Sequence, residues 1–178
     1  MYRLCLVYIL VSVLASHPLV TQARRMMFGQ CPVTANLDQI HHAFLEIKQA
    51  IQAEDASDDV RLLTRSLFQS IETQESCCFL RHMLRFYVET VFRHHTPSSP
   101  LMERRTSCLA NCFLSIKILL RQCLFFAMQH DEMRCHCAEE TREKIKLIQD
   151  AFEKMDLNAA AVKAIGEINI LIDWMQQA

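Results

Sequence analysis

The chain has 178 residues, of which 51% are hydrophobic and 22% are charged, and its formal net charge is -1 at pH 7. This length suits one domain with a substantial core, the composition argues against disorder, and the charge gives no reason to expect a nucleic acid or an anionic membrane as partner. Only two glycines and four prolines are present, too few for the many turns of a sandwich or an α/β enzyme. The composition therefore predicts an all-α fold with long helices and without strands.

The N-terminal segment has the pattern of a secretory signal peptide. A positive charge precedes an apolar run that ends with the small residues Val13 and Ala15, a pair that signal peptidase accepts. The run is shorter than the roughly 20 residues that span a bilayer, and charges or histidines interrupt every later apolar stretch, so no membrane-spanning helix is expected. We expect residues 1–15 to be removed, with cleavage after Ala23 as the alternative. Residues 24–178 would then form a single secreted, extracellular domain.

Apolar residues at steps of three and four predict helices along the rest of the chain. Asn36 is positioned to cap the first helix, with Gln39 at the capping-box position, and this helix should run to about Glu54. The same spacing predicts a shorter helix between Val60 and Ile71. The apolar stripes of these two helices are Leu37, Ile40, Phe44, Ile47 and Ile51, and then Val60, Leu63, Leu67 and Ile71.

Two further segments have stronger helical patterns. One runs from Cys77 to about His94, and the other runs from about Leu101 toward Met128. Between them the run TPSSP, residues 96–100, is the clearest loop, because its two prolines end and forbid a helix. The apolar stripes of these two helices are Leu80, Leu84, Val88 and Val91, and then Leu109, Phe113, Ile116, Leu120 and Cys123.

The C-terminal part of the chain holds two more helical patterns. After an interruption at HDEMRCHC, one helix is expected through Ile145 and Met155, and the last through Ile165 and Met175, with a brief break at DLN between them. Gly166 would lie in the middle of the last helix, where a glycine costs about 1 kcal/mol relative to alanine. Such a glycine usually permits close approach of another helix, and sequence drift is the alternative explanation.

The cysteines fit a secreted protein. Of the nine cysteines, Cys5 leaves with the signal peptide, and the even number that remains argues for disulfides in an oxidising compartment. Cys77 and Cys78 are adjacent, and neighbours rarely bond to each other because the ring would need strained geometry. Eight cysteines allow 105 pairings, so the sequence by itself selects none of them. The eight are Cys31, Cys77, Cys78, Cys108, Cys112, Cys123, Cys135 and Cys137.

Five segments of the chain carry a resemblance to a known family. In order they are ANLDQIHHAFLEIKQAIQAED, CCFLRHMLRFYVETVF, SCLANCFLSIKILLRQC, RCHC and AAAVKAIGEINILIDWM, and they cover nearly everything from Cys31 to the end. On these segments the chain resembles the helical cytokines of the interleukin-10 family, most closely the interleukin-20 subgroup of interleukins 19, 20 and 24. The resemblance implies a secreted, compact bundle of six to seven helices, the class II helical cytokine fold, cross-linked by disulfides.

The resemblance also implies a monomer with three disulfides. Carried over, the pairs are Cys31 with Cys123, Cys77 with Cys135, and Cys78 with Cys137. Each bond would close a loop of about 60 residues or more and contribute roughly 4 kcal/mol in the chain-entropy model. The spacing between Cys123 and Cys135 is longer than in the family, which leaves the shape of that insert open. Cys108 and Cys112 stand where the family usually has serine, and we expect free buried thiols, with intermolecular bonding or a distorted local disulfide as alternatives.

For function, the resemblance implies a cytokine that brings together two class II receptor chains and so triggers Janus kinase and STAT signalling. The receptor chains would be of the interleukin-20 receptor alpha and beta type, or the interleukin-22 receptor chain. One chain would face the connection after the first helix together with the last helix, and the other would face the first and third main helices. The first set of candidate contacts is Asp58, Asp59, Arg61, Arg65, Asp173 and Gln177, and the second is His41, Lys48, Arg81 and Arg85. As charges alone, these residues are typical of ordinary solvated faces.

Other functions have weaker support in the sequence. The chain lacks the motifs GxSxG and HExxH and a glycine-rich phosphate loop, so neither an enzyme nor a cofactor is expected. A zinc site among Cys77, Cys78, Cys135, Cys137 and His136 is disfavoured, because structural zinc sites commonly space their cysteines by two to four residues. A secreted carrier of an apolar ligand is the alternative function, suggested by the nine methionines and the apolar run LFFAMQ. A decoy that binds only one receptor chain is a third possibility.

Overall fold

The computed structural model describes residues 23–56, 60–128 and 135–177, so the predicted signal peptide lies outside the described residues. A short hairpin precedes a bundle of helices. In chain order the elements are β1 (Arg24–Phe28), β2 (Cys31–Ala35), α1 (Leu37–Glu54), α2 (Arg65–Gln69), a 3₁₀ turn (Thr73–Glu75), α3 (Ser76–Phe86), a π-helical turn (Tyr87–Val91), α4 (Phe92–His94), α5 (Pro100–Met128), α6 (Glu139–Glu153), α7 (Leu157–Gly166) and α8 (Ile168–Gln176). The described chain is mostly helical, as the composition predicts.

The expectation of a chain without strands is wrong at the start of the domain. β1 and β2 pair antiparallel, from Arg24 opposite Ala35 to Phe28 opposite Cys31, so a two-residue turn joins them. Gly29 in this turn has a φ of 59°, a left-handed conformation that glycine adopts without the steric penalty of a Cβ. The alternate residues that this pairing buries are Met26, Phe28, Cys31 and Val33. An alternation this short is not decisive in a sequence that is otherwise helical.

The first helix has the start, the end and the buried face that the sequence predicts. The Asn36 side chain accepts a hydrogen bond from the backbone N–H of Gln39 at 3.0 Å, which caps α1, and the helix ends at Glu54. This helix packs against α5, α7 and α8. The stripe that it buries in the core is Leu37, Ile40, Phe44, Ile47 and Ile51.

The second predicted helix is much shorter than expected. The α2 helix covers only Arg65–Gln69, and Thr64 caps it by accepting a hydrogen bond from the backbone N–H of Leu67 at 3.3 Å. The residues before it are not helical, because the N–H groups of Leu62 and Leu63 donate to a carboxylate near the C-terminus of the chain. A tertiary contact therefore replaces the first turns of the helix that the spacing predicts.

The helix predicted from Cys77 to His94 is interrupted. It ends as a regular α-helix at Phe86, and a π-helical turn follows before α4. Tyr87, the first residue of this turn, is fully buried, and its hydroxyl donates a hydrogen bond to the backbone carbonyl oxygen of Ala164 at 2.9 Å. The turn therefore joins this part of the chain to α7 inside the core.

Replacement of Tyr87 by phenylalanine isolates the contribution of this bond. Tyr87→Phe keeps the ring but leaves the carbonyl of Ala164 without its donor, so we expect a loss of about 1–2 kcal/mol in the free energy of unfolding. Burial holds the pKa of Tyr87 well above its usual range, so the hydroxyl keeps its proton at physiological pH. Urea denaturation of both proteins at pH 7 measures the difference. A loss below about 0.3 kcal/mol would show that the carbonyl finds another donor.

The long helix packs as the sequence predicts, but it begins at Pro100, which was predicted to lie in the loop. Pro100 occupies the first position of α5, where a backbone N–H would have no acceptor within the helix, so its absence costs no hydrogen bond. The Ser99 hydroxyl accepts a hydrogen bond from the N–H of Met102 at 3.2 Å. The helix packs against β2, α1 and α3. The stripe that faces these elements and is buried is Leu109, Phe113, Ile116 and Leu120.

The outer face of the same helix is also apolar. An 18-residue window within Pro100–Phe125 has a mean hydropathy of 1.5 and is 22% buried, so by length and composition this helix could cross a membrane, contrary to the sequence expectation. Its buried stripe, packed against three other elements, is that of a helix in a bundle. The exposed apolar residues on its C-terminal half are Leu114, Ile118, Leu119 and Phe125.

The last predicted helix is split where the sequence places its glycine. The α7 helix begins after Asp156, whose side chain accepts from the N–H groups of Asn158 and Ala159 at 3.1 Å each, and it ends at Gly166. The α7 helix packs against α1, and a Cβ added at Gly166 would lie 3.5 Å from Cγ2 of Ile51, which is an ordinary van der Waals contact. The predicted close approach that would require a glycine is therefore not observed. The glycine therefore closes a helix, whereas the sequence placed it in the middle of one.

Candidate interaction surfaces

The single residue between α7 and α8 fixes the connection that follows α1. Oε2 of Glu167 accepts hydrogen bonds from the backbone N–H groups of Leu62 at 3.0 Å and of Leu63 at 2.7 Å. The glutamate is only 7% exposed, and its Oε1 has no hydrogen-bond partner among the described residues. Burial raises the pKa of this carboxyl, although the two N–H groups and Lys163 act in the opposite direction. A buried carboxylate thus holds two backbone groups that no helix satisfies.

A buried ion pair fixes the other end of the same connection. Nζ of Lys163 in α7 lies 2.9 Å from Oδ2 of Asp55, which directly follows α1, and the two side chains are 7% and 18% exposed. Lys163 and Glu167 are one helical turn apart, so α7 and its end hold the connection at Asp55 and again at Leu62. Both anchors belong to the KAxGE run, and their partners more than 100 residues away could not be read from the sequence.

The first set of candidate residues is brought together in part beside this connection. Nη2 of Arg65 in α2 lies 3.3 Å from Oδ2 of Asp173 in α8, and both residues line a concavity of about 270 Å³ together with Gln177. Arg61 is exposed on the connection itself. The candidates Asp58 and Asp59 lie outside the described residues.

An aromatic cluster supports this concavity from below. Trp174 lines it, and the ring centroid of this tryptophan lies 5.8 Å from that of Phe28, 5.8 Å from that of Phe68 and 5.3 Å from that of Phe79. Offset and edge-to-face aromatic pairs at these distances are attractive beyond the area that they bury. The floor of the concavity is therefore continuous with the core, while Arg65 and Asp173 form its polar rim.

The second set of candidate residues divides into two patches. Arg85 at the end of α3 lies 2.9 Å from Glu89, and Lys117 of α5 lies 2.6 Å from the same carboxylate. Hydrogen bonds from Lys117 and then from Arg85 lower the pKa of Glu89 to about 2. Arg81 is exposed one turn before Arg85.

The other patch of this set lies on α1. His41 and Lys48 are half-buried there, and Arg105 of α5 donates to the backbone carbonyl oxygen of Glu46 at 2.9 Å. Because α5 packs against both α1 and α3, it links this patch to the patch that holds Arg81 and Arg85.

Three disulfides tie these elements together. The bonded pairs are Cys31 with Cys123, Cys77 with Cys135, and Cys78 with Cys137, with Cα separations of 5.8, 5.7 and 5.5 Å. These are the pairs that the family resemblance implies, and their Cα separations are ordinary for disulfides. The first bond joins the hairpin to α5, and the other two join the start of α3 to the segment before α6.

A carboxylate at the same place was not found by sequence reasoning. Glu75, at the end of the 3₁₀ turn, accepts hydrogen bonds from the backbone N–H of Ala138 and from the hydroxyl of Thr141, the latter at 2.8 Å. Ala138 directly precedes α6, so the side chain of Glu75 satisfies an N–H at the positive end of that helix. It therefore holds the start of α6 beside the two disulfides.

The donor set for a metal differs from the one considered in the sequence. Donor atoms of Cys78, His82 and Cys137 lie within 4.8 Å of one another, whereas His136 is exposed. Both sulfur atoms of that cluster belong to one disulfide, so neither is a thiolate that could bind a metal ion. Burial, and then Arg81 and Arg85, lower the pKa of His82.

Comparison with known proteins places this geometry in context. The sequence model of the family described as Interleukin 10 matches residues 2–177. Mouse interleukin-20 is 42% identical over 159 residues, covering 88% of this chain and 86% of that protein. Human interleukin-19 is 33% identical over 149 residues, covering 83% of this chain and 81% of that protein.

Solved structures of related proteins share the fold. The crystal structure of human interleukin-19 superposes with a TM-score of 0.69 at 32% identity, covering 79% of this chain and 87% of that one. The structure of a PROSS-edited human interleukin 24 superposes with the same TM-score of 0.69 at 33% identity, covering 85% of this chain and 97% of that one.

Proposed function

Because the chain belongs to the interleukin-10 family of helical cytokines, and is therefore a cytokine and not an enzyme, we propose that it binds two receptor chains of the interleukin-20 receptor type at once. Members of this family act through class II cytokine receptor chains. Holding two such chains together at a cell surface would start Janus kinase and STAT signalling inside the cell. Once one chain is bound, the second meets the complex at a high effective concentration in the membrane plane.

The concavity beside the connection supports the first half of this proposal. Protein interfaces gain most of their affinity from a few residues in a rigid pocket surrounded by a polar rim. Here Trp174 provides a half-buried aromatic floor, and Arg65 and Asp173 provide the rim. The anchors at Glu167 and Lys163 hold Leu62, Leu63 and Asp55 in place before any partner binds, which reduces the entropy that these residues lose on binding.

The two patches that α5 links are the candidates for the second receptor chain. His41 and Lys48 would contact it from α1, and Arg81 and Arg85 from α3. The hydrogen-bonded group of Arg85, Glu89 and Lys117 holds part of this surface in one arrangement. Charges on a surface of this kind steer association and set specificity more than they set affinity.

The alternative of an apolar-ligand carrier has less support from the cavities. A cavity of about 720 Å³ lies between the hairpin turn and the 3₁₀ turn. Its described walls mix polar side chains with disulfide cysteines and Leu124, whereas sites for apolar ligands are lined predominantly by aliphatic and aromatic side chains. The residues that line it include Gln30, Glu72, Thr73, Gln74, Cys77 and Cys135.

Reversal of one rim charge should separate receptor binding from folding. We expect Asp173→Arg to weaken binding to the first receptor chain by about tenfold or more, because it places two cations on one side of the concavity. Stability should change by less than about 1 kcal/mol, because the ion pair that it removes is solvent-exposed. Surface plasmon resonance of refolded residues 24–178 against each receptor ectodomain measures the affinities.

A matched control makes the same charge change elsewhere. Glu153→Arg alters an exposed carboxylate at the end of α6, outside both proposed surfaces, and should leave both affinities unchanged. The ectodomains are then mixed, and the ternary complex should form more tightly than either binary complex. Equal losses for both variants would contradict the assigned surface. Binding of the unaltered protein to neither ectodomain would contradict the receptor proposal.

A further inference from the structure

Two cysteines outside the disulfide framework lie on one edge of α5. Both thiols are free, as expected, but the expected burial is wrong, because Cys108 is exposed and Cys112 is only half-buried. They stand four residues apart in a continuous helix, so they share one side of it. This pair takes no part in the proposed receptor surfaces.

The geometry of the helix argues against a bond between them. Residues four apart in a helix have Cβ atoms about 5–6 Å from each other. A disulfide needs Cβ atoms about 3.5–4.5 Å apart, so closure would require distortion of α5. The pKa of the Cys112 thiol is raised, first by burial and then by the neighbouring Cys108, so Cys112 keeps its proton and stays a thiol. Cys108 is the exposed member and is therefore the one that a reagent in solution can reach.

A groove adjoins the pair. It has a volume of about 320 Å³ and runs between α5, the end of β2 and the start of α1. This volume is at the lower end of the range of about 300–1,000 Å³ that holds small ligands. Its described lining carries no charged side chain and offers amide and hydroxyl groups beside the two sulfurs. The polar residues that line it are Thr34, Asn36, Gln39, Asn111 and Ser115.

We propose that this groove takes up a small polar thiol as a mixed disulfide on Cys108, from a low-molecular-weight disulfide of the cystine or glutathione disulfide class. The Cys108 thiolate attacks one sulfur of the small disulfide, whose S–S bond breaks as the new S–S bond forms. The other half leaves as a thiolate and takes up the proton that Cys108 gave up. Cys108 is oxidised and the released half of the small disulfide is reduced to a thiol, so the small disulfide is itself the oxidant and no other is needed.

The arrangement also accounts for the persistence of such an adduct. A neighbouring thiol ordinarily resolves a mixed disulfide by forming an internal bond. Here the internal bond would require distortion of α5, and the Cys112 thiol keeps its proton because burial and the neighbouring Cys108 raise its pKa. The amide and hydroxyl groups of the groove can donate hydrogen bonds to the carboxylate and amide oxygens of a cysteine or glutathione moiety, and they can accept hydrogen bonds from its amino and amide N–H groups. Such small disulfides are present outside cells, where the members of this family act.

The test uses the mature chain with its three disulfides intact. It is incubated separately with cystine, with glutathione disulfide and with hydroxyethyl disulfide, which lacks amino and carboxylate groups, and intact mass is followed over time. We expect one adduct per chain, placed on Cys108 by peptide mapping, and formed about tenfold faster with the first two reagents than with the third. The better of the first two identifies the source of the thiol.

Two variants distinguish a groove from a merely exposed thiol. Cys108→Ser should abolish the adduct, and Asn111→Leu should remove the preference over hydroxyethyl disulfide while the thiol stays accessible. The proposal is overturned if the three reagents react equally fast, if Cys112 carries the adduct, or if oxidation gives a Cys108–Cys112 bond or a disulfide-linked dimer instead.

Discussion

Glu167→Ala is expected to cost about 3 kcal/mol of unfolding free energy, a large share of the 5–15 kcal/mol that typical domains have. The substitution removes the acceptor for the backbone N–H groups of Leu62 and Leu63, and each buried donor left unsatisfied costs about 1–3 kcal/mol. It also releases Leu62 and Leu63 from the end of α7, so this part of the connection can detach from the bundle. Urea denaturation at pH 7 gives the free energy, and amide hydrogen exchange at Leu62 and Leu63 reports the local release.

The matched control keeps the acceptor and removes the charge. The amide oxygen of Glu167→Gln can still accept from both N–H groups, so we expect a loss of less than about 1 kcal/mol and retained protection of both amides. If the alanine and glutamine variants lose the same stability, the hydrogen bonds to the connection are not what Glu167 contributes.

Acidification should affect the unaltered protein and the glutamine variant differently. Burial raises the pKa of the Glu167 carboxyl above its ordinary value in the folded state, so the folded protein binds this proton more readily than the unfolded chain does. The contribution of this group to stability is therefore fully present below the unfolded pKa and is lost as the pH rises through the folded pKa. As the pH falls from 7 toward 4.5, the unaltered protein should gain stability relative to Glu167→Gln. A constant difference over that range would contradict the raised pKa.

The double substitution of Cys31 and Cys123 by serine is expected to have a still larger effect. This bond has a sequence separation of 92, and the chain-entropy model gives about 4–5 kcal/mol for a loop of that length. It also joins the hairpin to α5, and Cys31 is only 1% exposed, so one serine hydroxyl would be buried. Guanidinium denaturation of the two proteins under oxidising conditions measures the loss.

The free cysteines offer the control for that experiment. Cys112→Ser replaces a half-buried thiol that closes no loop, so its effect should stay below about 1 kcal/mol. A loss below about 1.5 kcal/mol for the double variant would show that the denatured chain keeps the hairpin near α5 without the bond.

Helix positions could be read from the sequence because their signal is local. Asn36 caps α1 through a bond to Gln39 only three residues away, and the apolar stripes repeat within each helix. The hairpin was missed, because two strands of five residues leave little alternation to read. The helix predicted from Val60 was overturned by Glu167, a partner more than 100 residues away.

The candidate surfaces show a similar division. No physical pattern in the sequence selected Arg65 and Asp173 as neighbours. Their proximity was expected only from the resemblance to relatives, and the two side chains lie 3.3 Å apart in the structure. His41 and Lys48 were predicted to form one surface with Arg81 and Arg85. The structure places the first two residues on α1 and the other two on α3, and α5 packs against both helices. Glu75 had no local signal, because its partners Ala138 and Thr141 are brought to it only by the fold.

The adjacent cysteines of α3 create an isomer problem for oxidative folding. Exchange of partners, so that Cys77 bonds Cys137 and Cys78 bonds Cys135, would close loops of nearly the same length as the observed separations of 58 and 59. Loop-closure entropy would then differ by less than about 0.1 kcal/mol between the two isomers and cannot choose between them. Noncovalent contacts must therefore align the start of α3 with the segment before α6. Glu75 precedes α3 and is hydrogen-bonded to Ala138 beside Cys137, so it is placed to provide this alignment. The hydrogen bonds of Glu75 therefore bear on which disulfide isomer forms, as well as on the stability of the folded chain.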